Sequence, residues 1–128
     1  MGMYTELIFG VKLKKDTPSG VIEALKYMLG ETEKPINFPL PNGRCEHLFR
    51  SSSYYFGVSK PVNKMWLDEI SGHWQLSTRS SIKNYGGEIE EFLEWIKPYI
   101  QSGSGSRDIY AIVTYEESAE PTIYYLHE

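Results

Sequence analysis

Two hydrophobic periods meet ahead of Gly30, and their junction restricts the chain to folds that mix strand and helix. From Tyr4 to Lys14 apolar and polar residues alternate, with Leu7, Phe9, Val11 and Leu13 on one side and Glu6, Gly10 and Lys12 on the other. Period two over this length predicts a strand with one buried face. After Asp16-Thr17-Pro18 the spacing becomes helical, and Val21, Ile22, Leu25, Met28 and Leu29 fall on one stripe. Thr17 is the expected cap, Pro18 the first helical residue and Gly30 the stop.

The same signals recur downstream. Pro35, Pro39, Pro41 and Asn42-Gly43 mark Glu31 to Glu46 as a long surface loop, within which Ile36, Phe38 and Leu40 alternate and offer a docking face. His47 to Val58 reads as a strand. Met65 to Ile70 and His73 to Ser80 read as a hairpin turning at Ser71-Gly72, which brings Trp66 and Trp74 near each other. Glu88 opens a second helix whose apolar stripe is Ile89, Phe92, Leu93, Ile96 and Ile100, with Glu88, Glu90, Glu91, Glu94 and Lys97 outside. Pro98 ends or bends it. Ile109 to Tyr115 and Thr122 to Leu126 read as a C-terminal hairpin.

The reading is therefore one domain, residues 1–128, of the α+β class. Its elements run β-α-β-β-β-α-β-β, forming a mostly antiparallel sheet with two helices on one face. A ferredoxin-like core with extra strands is one way to wire it.

Composition narrows the functional classes. Of 128 residues, 41% are hydrophobic and 23% charged, ordinary values for a soluble globular chain. Thirteen basic against seventeen acidic residues give a net charge of −4, which argues against general nucleic-acid binding, since neutralised phosphates supply most of that affinity. No apolar run approaches the roughly 18 residues of a membrane span, and no leader pattern opens the chain, so a cytoplasmic location is expected. Met1-Gly2 reads as a remnant ahead of a start at Met3. A lone Cys45 excludes an internal disulfide framework.

Catalytic motifs are missing from the text of the sequence: no nucleophile elbow, no phosphate loop, no dinucleotide fingerprint. His47, His73 and His127 do not combine with Cys45 in a metal-ligand spacing, so neither a metal nor a cofactor is expected. Gly103-Ser104-Gly105 precedes a strand rather than a helix and makes a poor phosphate cradle. Asp68-Glu69, near a hairpin turn, could supply a carboxylate pair for acid–base work, but a solvated turn is the better explanation and hydrolysis is not expected.

Two runs stand out. Arg50-Ser51-Ser52-Ser53-Tyr54 lies on one expected strand, and Arg79-Ser80-Ser81 with Lys83-Asn84-Tyr85 closes another. Guanidinium forks and serine hydroxyls match phosphate or carboxylate oxygens. If the strands are neighbours, Arg50, Ser52, Tyr54, Arg79, Ser81, Lys83 and Asn84 make one small-anion site. The competing explanation is a polar strand face with arginines in surface ion pairs and Asn84 capping the helix. Ten Tyr and three Trp supply a different candidate, a recognition face anchored by Tyr55, Trp66 and Trp74.

The chain resembles a family of small proteins encoded by phages and prophages of Gram-positive bacteria. The resemblance rests on Met3 to Glu6, Leu25-Lys26-Tyr27-Met28, Arg50 with Ser53-Tyr54-Tyr55-Phe56, Asp68-Glu69-Ile70-Ser71, Arg79-Ser80 with Lys83-Asn84-Tyr85, and Glu88-Ile89-Glu90 with Phe92, Trp95-Ile96 and Pro98-Tyr99. Gly86-Gly87 departs from the acidic residues of that position. The resemblance implies an accessory protein of the host cytoplasm and no particular catalytic mechanism.

Two functions fit these observations. One is a non-catalytic protein that binds a host macromolecule, such as a component of host defence, through its aromatic face. The other is capture of a small anion, a nucleotide for example, by the arginine–serine runs. Exposed strand edges make a homodimer compatible with either.

Overall fold

The computed structural model describes residues 4–40, 43–49, 63–83, 86–102, 108–115 and 117–126. Its elements are β1 (Thr5–Lys12), α1 (Ser19–Met28), β2 (Lys64–Asp68), β3 (His73–Ile82), α2 (Glu88–Ile96), β4 (Ile109–Tyr115) and β5 (Thr122–Tyr125), with short 3-10 turns at Gly43–His47 and Lys97–Tyr99. The five strands form one sheet in the order β2-β3-β1-β4-β5, and every adjacent pair is antiparallel. The first four strands and both helices reproduce the split β-α-β wiring of ferredoxin-like folds, and β5 extends the sheet beyond β4.

The pairing register explains which face is buried. Residues opposite one another share a face, so Leu7 lies with Ser80 and Val113, Phe9 with Thr78 and Ala111, and Val11 with Leu76 and Met65. Both helices pack on this side. α1 buries Val21, Ile22, Ala24, Leu25 and Met28, and α2 buries Ile89, Phe92, Leu93 and Ile96. Phe92 is the hub, with its ring 5.2 Å from Phe9, 5.0 Å from Phe49 and 5.9 Å from Trp95, the first two edge-on. A register shift between Ile109 and Ala111 lets consecutive Tyr110 and Ala111 both reach the core.

Local signals behave mostly as the sequence predicts. Gly30 has φ +83, its N–H bonds to Tyr27 O, and Glu31 N–H bonds to Lys26 O, which together close α1 in a Schellman motif. At the other end the expectation is corrected. The helix begins at Ser19, Pro18 holds the capping position without a side-chain bond, and the Thr17 hydroxyl donates backwards to Lys14 O at 2.6 Å.

A second correction concerns His47 to Val58. Within it, His47 ends a 3-10 turn and Leu48 and Phe49 form a further turn, both side chains buried, because α2 draws them into the core. The rest of that run lies outside the described residues. In the proline-rich loop Leu40 is buried and Phe38 packs edge-on against Tyr27 at 5.6 Å, whereas Ile36 is fully exposed. Among the described residues no helix is long and apolar enough to cross a membrane.

Candidate functional site

The face of the sheet opposite the helices carries no described helix, and its composition decides what it can bind. Pairing places Ile8, Arg79, Ile112 and Ile123 in one row across β3, β1, β4 and β5. At a strand spacing of ~4.8 Å the row is about 14 Å long. Ile123 is 40% exposed, and Ile109, which lies opposite Tyr125, is 55% exposed. Trp66, opposite Gln75 near the far edge, is 37% exposed. At the centre Gly10 contributes no side chain, and two hollows flank it: about 190 Å³ between Ile8, Ser77 and Arg79, and about 120 Å³ between Ile8, Ile109 and Ile112. Each is below the roughly 300–1,000 Å³ of small-molecule sites. The face offers apolar knobs and shallow dimples, which suit a flat macromolecular surface better than a metabolite.

The expected anion-binding set is only partly assembled. Arg50, Ser52, Tyr54 and Asn84 lie outside the described residues, as does Tyr55 of the aromatic set. Arg79 and Ser81 do share the open face. Ser81 is buried, however, and its hydroxyl donates to a carboxylate oxygen of buried Glu6 at 2.9 Å. The Ser81 hydroxyl proton is thus already committed to a carboxyl oxygen of the chain and is not offered to an anion. Arg79 N–H is held by Asn63 Oδ1 at 2.8 Å, and Lys83 projects beyond the end of β3. Ser80 faces the helices with Leu7, not the open face.

The tryptophans also separate. Trp66 pairs with Gln75 and Trp74 with Leu67, so successive residues send the two indoles to opposite faces instead of together. Trp74 is half-buried on the helix side, with the Lys26 ammonium 4.9 Å from its ring centroid. Beside it Lys14, Lys15, Lys26, Thr17 and Ser19 surround a hollow of about 340 Å³, opposed by Glu23 alone among carboxylates. This basic corner is invisible to motif reading because its lysines come from a strand end and a helix.

Nucleophile and acid–base candidates take structural roles. Cys45 is fully buried, and its Sγ donates towards Glu91 Oε2 at 3.3 Å and Glu88 O at 3.5 Å. Burial first, then the bond to the Glu91 carboxylate and the charges of Glu91 and Glu88, push the thiol up to about 12. It stays protonated at physiological pH, the opposite of an activated nucleophile. Glu88, expected on the solvated side of α2, is 1% exposed and accepts the Gly86 N–H at 2.8 Å. Asp68 accepts from the Ser71 hydroxyl at 2.9 Å and from Ile70 N–H at 3.1 Å, which hold its carboxyl below the ordinary carboxylate value and buckle the hairpin turn. His73 Nδ1 lies 2.7 Å from Leu13 O, tying the ring to the end of β1.

The apolar row is absent from the sequence-based candidates. Its signal lies in Ile8, an apolar residue on the polar side of the first strand, and in the unbroken run Ile109 to Val113, which makes both faces of β4 apolar. No family model, curated protein or solved structure matches the chain.

Proposed function

We propose that the chain is a phage-type accessory protein of the host cytoplasm, which acts without catalysis by binding a host protein on the open sheet face. The observation that carries this reading is the Ile8–Ile112–Ile123 row with exposed Ile109 beside it. Exposed apolar sets of this kind mark interaction surfaces. The hollows at Gly10 are smaller than ordinary small-molecule sites, which favours a partner surface over a metabolite. The protonated Cys45 supports the non-catalytic part.

The test is Ile112→Arg, which puts a charge in the middle of the row. Affinity capture from host lysate should lose its partner in the variant, while Lys64→Glu at the end of the same face keeps it and both retain the wild-type thermal midpoint. Equal capture by Ile112→Arg overturns the reading, as does a wild-type chain that retains no partner.

Capture of a small anion is better supported by the Lys14–Lys15–Lys26 hollow than by Arg79 and Ser81. That alternative predicts millimolar or tighter binding of inorganic pyrophosphate, abolished by Lys26→Glu and unchanged in Arg79→Gln.

A further inference from the structure

On the helix side of the sheet a groove of about 590 Å³ runs between α2 and the β4–β5 edge. This volume lies within the range of small-ligand sites. α2 lines it with Glu90, Leu93 and Glu94, and Lys97, the residue that caps the helix, continues the same stripe. The sheet contributes Tyr110 and Tyr124, whose rings meet edge-on with centroids 6.1 Å apart. Tyr110 and Leu93 are almost wholly buried and give the groove an apolar floor.

Two carboxylates and two tyrosine rings lining one groove form a recognisable chemical environment. The aromatic quadrupole presents negative charge at the ring face, and the attraction for a cation grows when water is excluded. Glu90 and Glu94 add two formal negative charges against one positive charge from Lys97. Their field reaches both rings: after burial, Glu90 raises the Tyr124 phenol, and Tyr124 with Glu94 raises Tyr110. Both phenols therefore remain neutral at physiological pH. An anion is repelled here. A bare metal ion is poorly matched, since among the described residues no three ligating side chains converge, and the cavity is far larger than an ion.

We infer that this groove is a site for a small organic cation of the alkylammonium class, held between the tyrosine rings and the Glu90 and Glu94 carboxylates. A free amine and the side chain of a lysine on a partner present the same chemistry. The inference does not rest on the open-face reading: its carboxylates and its two paired tyrosines lie on the helix side of the sheet, and the two surfaces meet only at edge strand β5, where Ile123 and Tyr125 also line the groove.

The test is an amide-resolved NMR titration of the full chain with choline, and with 3,3-dimethylbutan-1-ol as its uncharged isostere. Choline should give saturable shifts over Glu90 to Lys97 and Thr122 to Tyr125, with the isostere about tenfold weaker or worse. Cation–π contributions of this kind correspond to roughly three- to thirtyfold in affinity, so Tyr124→Leu should weaken choline within that range. Glu94→Gln should weaken it, and Lys97→Gln, which removes a like charge, should strengthen it. That gain keeps the test independent of any loss of folding. Equal binding of the isostere, no saturable shift up to about 10 mM choline, or weakening by Lys97→Gln each overturns the inference. A trimethyllysine peptide that binds at least about tenfold tighter than choline places the cation on a partner, and equal affinities place it on a free amine.

Discussion

The buried thiol of Cys45 makes alkaline stability a measurable property of one residue. In the folded chain the thiol is pushed up to about 12 by burial and by the carboxylate of Glu91, against an ordinary value of 9.0. The folded protein therefore holds this proton more tightly than the unfolded chain. The associated stability is intact below the unfolded value and is lost progressively as pH rises towards the folded one. Between about pH 8 and about pH 10 the folded thiol stays protonated while the unfolded thiol ionises, which favours unfolding by about 1.4 kcal/mol, or tenfold. Tyrosines titrate in the same range, and Tyr110 and Tyr124 are also raised. The assay must therefore be a difference: urea unfolding of wild type and Cys45→Ala at both pH values. The cavity left by alanine costs the same at each pH and cancels. Wild type should lose about 1.4 kcal/mol more than Cys45→Ala across the interval. Equal losses in the two proteins would refute the argument, because they would mean that the native environment does not favour the protonated thiol.

Three further outcomes follow from the core. Phe92→Ala removes the ring that meets Phe9, Phe49 and Trp95, and urea unfolding should register a loss of about 3–5 kcal/mol. Thr78 is buried with a hydroxyl that has no hydrogen-bond partner among the described residues, so isosteric Thr78→Val should raise stability by about 1 kcal/mol, seen as a higher urea midpoint at unchanged slope. Gly72 turns the β2–β3 hairpin at φ +78, and Gly72→Ala should cost about 1–2 kcal/mol in the same assay although a methyl group would meet only Lys15 Cε, at an ordinary 3.6 Å.

The legible parts of the molecule are those in which local chemistry and tertiary packing agree. β1 and α1 are legible because one face of each is apolar at the right period, and the Gly30 stop because only a left-handed residue closes that helix. The hairpin at Ser71-Gly72 is legible for a similar reason. Leu48 and Phe49 are not, since an alternating run suggests a strand, and neither is Cys45, which the proline-rich composition of Glu31 to Glu46 puts in a surface loop; only the presence of α2 decides otherwise. Glu88 looks solvated on a helical wheel, yet it turns back to the Gly86 amide at its own helix start. The candidate site divides in the same way. Arg79 and Ser81 do share a face, but the partner of Ser81 is Glu6, a carboxylate 75 positions away in sequence that no local pattern announces. The Ile8 row emerges only when four strands are laid side by side.

The strand order has a consequence for how the chain folds as it is synthesised. β1 is made first and sits at the centre of the sheet, between β3 and β4. Neither neighbour is local: Ile8 pairs with Arg79 on one side and Ile112 on the other. By contrast, β2–β3 and β4–β5 are hairpins of nearby residues that close early. The nascent β1, with Leu7 and Phe9 still uncovered, must wait until β4 has been made before both of its edges are satisfied. Its insertion between two preformed hairpins is a late, long-range step, and the interval before it is when the chain is most exposed to mispairing and most in need of a chaperone.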